Sequence, residues 1–293
     1  MRTAKDKQLI EFTFKQVEHR LNLDSRQTPV LGIEQILSVF PISFQFLPLL
    51  RDWIHTEDFE IENTVQLLKR DPLLAANIIK TSNSGHYPVA DKCENLHNAI
   101  VRIGLLDCYI LTANHSMRRL ASAFKSNEVS ERLIQQSTQT ASWSEHITNF
   151  MADCGLKTHT NSHSAYLSGL LHNIGQMLIT LLFDNRGLEV DWLGNFESEL
   201  QRLGTTSAAI SGSILIHWNF HKNICHPILF QNQQAESLSQ SCCILNLGVQ
   251  LMQSQKKEES IKLLYFRNKT VLNKLHIDCK MLHKIVDTYK MVP

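Results

Sequence analysis

Ala165-Tyr-Leu-Ser-Gly-Leu-Leu-His172-Asn173-Ile-Gly-Gln-Met-Leu-Ile179 is the stretch on which the reading of this chain turns. Leu167, Leu170, Leu171, Ile174, Leu178 and Leu181 recur at helical spacings, so one stripe of a helix is apolar and suited to burial. His172 stands one step, about 100°, round from Leu171, at the edge of that stripe. It and Asn173 are therefore placed to reach a cleft at the border of the core. Gly169 and Gly175 each lower helix propensity by roughly 1 kcal/mol against Ala. They point to close approach by another helix, or a local opening, on that side.

The same spacing recurs outward from this segment. Ile10, Phe14, Val17 and Leu21 form one set, Ile61, Val65 and Leu68 another, and Leu74 with Ile78 and Ile100 with Ile103 continue it. Strand-like alternation is nearly absent, so the fold class is all-α. Asp71-Pro72 reads as a helix start, with Asp capping the exposed N–H groups and Pro in the first helical position. Asn83-Ser84-Gly85 reads as its end, with Asn83 bonding its own backbone. Pro41 and Pro48 are expected to bracket a short break. Gly104 is expected to end one helix just before another begins. Residues 121–140, rich in Ser, Gln, Glu, Arg and Thr, read as a polar helix or connector between two lobes.

At 293 residues the chain can bury a substantial core. Hydrophobic residues at 43% and charged ones at 19% are an ordinary globular balance, and a net charge of +1 offers no field for nucleic acid. No run of about 18 uninterrupted apolar residues occurs, so no membrane span is expected. The 7 cysteines form no Cys-x-x-Cys pair, which fits reduced thiols in a cytoplasmic protein. From Lys256 onward, nine Lys or Arg stand against four Asp or Glu, with Leu263, Leu272, Leu275 and Leu282 among them. That segment reads as one or two amphipathic helices closing on the domain with a wet basic face.

The Gly169-Leu-Leu-His172-Asn173 run resembles the Gly-Leu-Leu-His-Asp signature of the HD superfamily of metal-dependent phosphohydrolases. A second match lies upstream, in Phe46-Leu-Pro-Leu-Leu-Arg51, in Leu67 through Asp71-Pro72 to Asn83-Ser84, and in Ala99-Ile100-Val-Arg-Ile-Gly104. With the later Trp218 segment, these landmarks resemble, in family order, the HDOD domain, a bacterial signalling module related to those hydrolases. The resemblance implies a two-lobed helical architecture with an HD-like second lobe. The expected divisions are an N-terminal helical extension at 1–25, a first lobe at 26–135, the HD-like lobe at 136–255 and closing helices at 256–293.

The resemblance also implies where metal ligands would stand. The His-Asp pair has become His172-Asn173, and Asn offers one neutral carbonyl oxygen where Asp offers two anionic ones. Ser207, in Leu203-Gly-Thr-Thr-Ser207-Ala-Ala-Ile-Ser211, takes a position often held by His. A later His-His pair falls near Gln231 and Asn232, and the first ligand position falls on Glu145, with His146 beside it. A metal-dependent hydrolase needs several His and carboxylate ligands on one site. His172, Asn173 and Ser207 are thus expected to be vestiges of a metal site, with no catalytic residue, no resident cofactor and no metal. If a divalent metal is present, His146, Glu145 and His163 are the residues expected to join His172. His217 and His221, four apart, imitate zinc ligands on one helix, but Trp218 stands where a zinc protease would carry Glu.

The expected function is a non-catalytic bacterial signal-transduction module that acts through a protein partner or a small ligand near His172. The alternative is an HD-type phosphohydrolase with an altered site.

Overall fold

The computed structural model describes residues 8–13, 15–16, 37–56, 59–87, 92–184, 191–233, 237–257 and 260–289. Among them every regular element is a helix, as the apolar spacing predicts. Contacts divide the chain into two compact units. The smaller is Gln35–Leu120, and the larger joins Met1–Glu34 to Ala121–Pro293.

In the smaller unit a 3-10 turn, Ile42–Gln45, leads into α1 (Phe46–Ile54), α2 (Ile61–Leu68), α3 (Pro72–Ser82) and α4 (Leu96–Ala121). Phe44, Phe46, Leu47, Leu50, Leu68, Leu74 and Ile78 are among its fully buried apolar residues. Pro48, expected to help bracket a break, lies instead in the first turn of α1. First-turn N–H groups have no intrahelical partner, so a missing donor there loses no bond. Asp71 caps α3 as read, its Oδ1 accepting from Leu74 N–H at 3.1 Å. Its Oδ2 also lies 3.1 Å from His115 Nε2, a buried contact joining the start of α3 to α4. Asn83 ends α3 but bonds away from its own backbone. Its Oδ1 accepts from Cys93 N–H at 2.8 Å and its Nδ2 donates to Cys93 O at 2.9 Å, which ties the end of α3 to Cys93. Gly104, at φ 82°, kinks α4 where one helix was expected to give way to another.

The larger unit contains α5 (Asn127–Asp153), α6 (Ser162–Leu171), α7 (Ile174–Asp184), α8 (Phe196–Leu203) and α9 (Ser207–His217). It continues with α10 (Lys222–Leu229), α11 (Gln240–Lys257), α12 (Ile261–Arg267), α13 (Lys269–Lys274) and α14 (Cys279–Thr288). α5 packs on α6 and α11, and α9 packs on α7 and α10. The polar run at 121–140 is mostly helix, one of its two readings, and it packs within the larger unit. Leu133 is buried, and Ser137, Thr140 and Ser144 on the same helix are fully so. Their small size serves close packing: a Cβ on Gly169 would lie 2.6 Å from Ala141 Cα, and one on Gly248 would lie 2.7 Å from Ser144 Oγ. Contacts divide the chain after Leu120, and the expected first lobe ran from 26 to 135.

Both ends of the chain contribute to this unit. The N-terminal segment was expected outside the main body, yet Ile10 and Thr13 are buried, and Thr13 Oγ1 accepts from Ser213 Oγ at 3.2 Å. The other members of that apolar set, Phe14, Val17 and Leu21, lie outside the described residues. Three closing helices stand where one or two were expected. Leu264, Leu272, Leu275, Leu282 and Ile285 from them share a core with Trp143, Ile147 and Leu247, and Tyr289 stacks on Trp143 with ring centroids 3.5 Å apart. By length and composition Leu96–Ala121 and Ser162–Phe183 would each suffice to cross a membrane, but 89% of the latter stretch is buried inside the fold. Such burial is what a core helix shows.

Candidate functional site

The apolar stripe of the opening segment is buried as its spacing requires, with Leu170, Leu171 and Ile174 fully buried. The helix that carries it does not run through. It breaks between α6 and α7, at His172 and Asn173. The cause is a side chain from α9. Ser211 Oγ accepts Gly175 N–H at 2.8 Å and lies 2.8 Å from His172 O, with Ser207 O at 2.9 Å as a second acceptor for its proton. A hydroxyl inserted into an i to i+4 ladder opens it locally. Gly175 permits the insertion, because a Cβ there would lie 2.2 Å from Ser207 O.

At the break two adjacent polar residues line a cavity of about 800 Å³. His172 is 6% exposed and Asn173 is 8% exposed. His172 Nδ1 lies 2.6 Å from Gly169 O, an atom that only accepts, so Nδ1 carries the proton. Nε2 is left as the ring's acceptor. Burial pushes the imidazole down to about 4, against the opposing effect of the Gly169 hydrogen bond, so the ring is neutral at physiological pH.

The positions that the family resemblance singled out come together. His172, Asn173, Ser207, Gln231 and Asn232 all line this one cavity. Asn246 Nδ2 donates to Gln231 O at 3.4 Å, and Arg267 donates to Gln250 Oε1 at 3.0 Å, so two further amides of the wall are held in place. The other three candidates lie elsewhere. His146 Nε2 is 3.0 Å from Ile285 O and 3.2 Å from Thr288 Oγ1, occupied by α14. Glu145 is half-buried, its carboxyl raised by burial and lowered by His163, and neither of these two lines the cavity. His217 ends α9, whereas His221 caps α10 by accepting Asn223 N–H at 3.3 Å, so the two do not share a helix.

One site residue went unread in the sequence. Glu199 is 2% exposed and lines the cavity beside Ser207. Its Oε1 accepts from Gly194 N–H and Ser207 Oγ, both at 2.8 Å, and its Oε2 accepts from Ser207 N–H at 2.7 Å. That carboxylate is spent on the first turn of α9, where N–H groups and the helix dipole favour a negative charge.

The donor set does not fit the divalent ions that the family resemblance implies. A hard cation takes several anionic oxygens, and zinc or iron takes converging imidazoles, thiolates and carboxylates. Among the described residues no group of three or more His, Cys, Asp or Glu is placed to hold a metal. Beside the one imidazole, the polar side chains of the cavity wall are mainly carboxamides and hydroxyls.

Comparison with known proteins gives this site a context. The model of the HDOD domain family matches residues 44–234. A solved HDOD domain protein of unknown function from Geobacter sulfurreducens is 16% identical, with a TM-score of 0.60 over 95% of each chain. A provisionally named phosphohydrolase from Shewanella amazonensis SB2B is 18% identical, with a TM-score of 0.57 over 88% of this chain and 93% of that one. A provisionally named signal transduction protein from Marinobacter aquaeolei VT8 reaches 0.64 at 18% identity, over 95% of this chain and 63% of that one. An uncharacterised protein of Treponema pallidum (strain Nichols) is 19% identical over 225 residues, 71% of this chain, and the match spans only 42% of that relative's length.

Proposed function

We propose that this chain, which belongs to the HDOD domain family, is a non-catalytic module of a bacterial signalling pathway that works by binding a protein partner or a small ligand. The observation that supports the reading is the company His172 keeps. Where the family resemblance would place His and Asp ligands, Asn173, Ser207, Gln231 and Asn232 line the same cavity with neutral groups. These side chains hydrogen-bond without needing a cation, whereas a cluster of carboxylates without one would repel itself and shift its pKa values. A cytoplasmic setting belongs to the same proposal, since Cys93, Cys108, Cys225, Cys242 and Cys243 are free and buried.

A second reading keeps an altered phosphohydrolase. His172 supports it in one respect: its Nδ1 donates to a backbone carbonyl, as metal-bound imidazoles commonly do. Metal analysis of the protein as purified, with nucleotide and phosphodiester hydrolysis measured in added manganese, separates the two. The regulatory reading expects no stoichiometric metal and no turnover that depends on His172. About one bound equivalent of iron, manganese or zinc, lost in His172→Ala together with hydrolysis, would replace it with the second reading.

A further inference from the structure

The cavity offers hydrogen-bonding groups from several walls. Gln136 comes from α5, Asn173 from the break before α7, Gln176 from α7, Asn232 from the turn after α10, and Asn246 and Gln250 from α11. Each carboxamide supplies donors and an acceptor but no charge. Asn173 is the most telling of them. It is 8% exposed, it lines the cavity, and its side chain has no hydrogen-bond partner among the described residues. Its neighbour His172 presents a neutral Nε2 acceptor in the same place. Facing the cavity without a protein partner, the Asn173 amide can both donate to and accept from a bound molecule.

Charge narrows the occupant. Glu199 is committed to Ser207 and Gly194. Arg132 and Asp191, one of each sign, are the other charged residues of the wall. A phosphate is usually met by several cationic groups or a helix N-terminus, and a divalent ion by several anionic oxygens. The wall has one cationic side chain, Arg132, the α9 N-terminus at Ser207 is taken by Glu199, and the α5 N-cap Ser126 already accepts Val129 N–H, so neither supply is assembled here. Shape narrows it further. A flat heterocycle keeps its polar atoms in one plane and asks for two apolar faces, whereas these amides come from separate segments around the cavity. A polyol presents hydroxyls in many directions, and each hydroxyl, like a carboxamide, both donates and accepts. Phe196, 46% exposed on the same wall, supplies an apolar surface for the C–H face of a sugar ring.

We propose that this cavity, in the ligand-binding reading given above and resting on it, takes an uncharged polyhydroxylated molecule such as a sugar or cyclitol. The volume of about 800 Å³ lies within the usual range for small-molecule sites. Calorimetric titration and thermal melts of the whole chain test this, with glucose, maltose and myo-inositol as neutral probes. Glucose 6-phosphate, adenosine and manganese chloride serve as contrasts. At least one neutral probe is expected to bind and raise the melting temperature. Asn173→Leu is expected to weaken that binding about tenfold or more while leaving the unliganded protein as stable as before or more so. Gln250→Leu repeats the test from another wall. Tighter binding of the phosphorylated sugar, binding of adenosine alone, or no binding by any neutral probe overturns the polyol assignment and leaves the regulatory reading in place. Manganese binding with His172-dependent hydrolysis overturns both.

Discussion

Ser211 Oγ lies 2.8 Å from the carbonyl oxygen of His172, a residue on a different helix, and takes the Gly175 N–H at the same distance. That pair of contacts replaces the intrahelical bonds that would have carried α6 straight into α7. His172 itself keeps helical φ and ψ, −62° and −28°, and both it and Asn173 line one cavity at this opened turn.

Replacing Ser211 with Ala leaves the buried Gly175 N–H without its acceptor and removes a donor from His172 O. The expected cost is roughly 1–3 kcal/mol, the range for a buried polar group that loses its partner. Ser213→Ala, which breaks only a hydroxyl pair with Thr13, is expected to cost less. Urea denaturation of both variants measures the difference. Equal losses would show that the Ser211 hydroxyl does not hold the break.

Gly175→Ala addresses the same junction from the other side. The added Cβ would meet the Ser207 backbone oxygen at 2.2 Å and Ser211 N at 2.8 Å, and backbone atoms cannot rotate away. A loss of about 3 kcal/mol, at the upper end for overpacking, is expected. Gly85 is the control, since nothing lies within 4 Å of a Cβ placed there. Gly85→Ala should fall within about 0.5 kcal/mol of the parent.

How much of this was legible beforehand depended on whether the signal was local. The all-α fold follows from apolar spacing, and Asp71 announced its helix because capping acts over three residues. His172, Asn173, Ser207, Gln231 and Asn232 were found because the family pattern names positions wherever they fall along the chain. The break at His172 was legible only as the close approach or local opening that Gly169 and Gly175 pointed to, because Leu170, Leu171, Ile174 and Leu178 keep helical spacing across it and the inserted hydroxyl arrives from α9. Most of residues 121–140 form a helix, one of the two readings their composition allowed, and its Ser and Thr serve as small spacers at close helix contacts. Glu199 gave no warning at all. In Phe196-Glu-Ser-Glu199-Leu an acidic residue in the first turn looks like an exposed helix start, as Glu197 in fact is.

The contrast between those two glutamates is itself testable. Glu199 accepts three hydrogen bonds through its two oxygens. Glu199→Gln keeps the shape but turns one oxygen into an NH2 group that faces donors. A loss of about 2–3 kcal/mol is expected, as for a broken charge-assisted set. Glu197→Gln on the exposed side of the same helix should change stability by no more than about 0.5 kcal/mol. Thermal and urea unfolding of the two variants decide it, and a mild effect at Glu199 would mean that the carboxylate is not what orders the start of α9.

His172 should make the protein acid-sensitive over a defined range. Burial holds its imidazole down at about 4, while the Gly169 hydrogen bond pulls the other way. An unfolded histidine titrates near 6.5. Between those values the unfolded chain binds a proton that the folded chain refuses, so stability falls as the pH drops through that window. Above about pH 7 the group is neutral in both states and contributes no slope. The full loss, reached near pH 4, is roughly 3 kcal/mol. His172→Gln removes the titration while keeping a polar side chain at the cavity. Urea midpoints of parent and variant at about pH 7.5, 6 and 4.5 isolate the contribution, because other titrating groups act on both proteins alike. The parent is expected to lose about 2–3 kcal/mol more than the variant between the highest and lowest pH. Parallel curves would mean that the imidazole meets water or a counter-charge when folded. The neutral acceptor on which the cavity chemistry rests would then be gone.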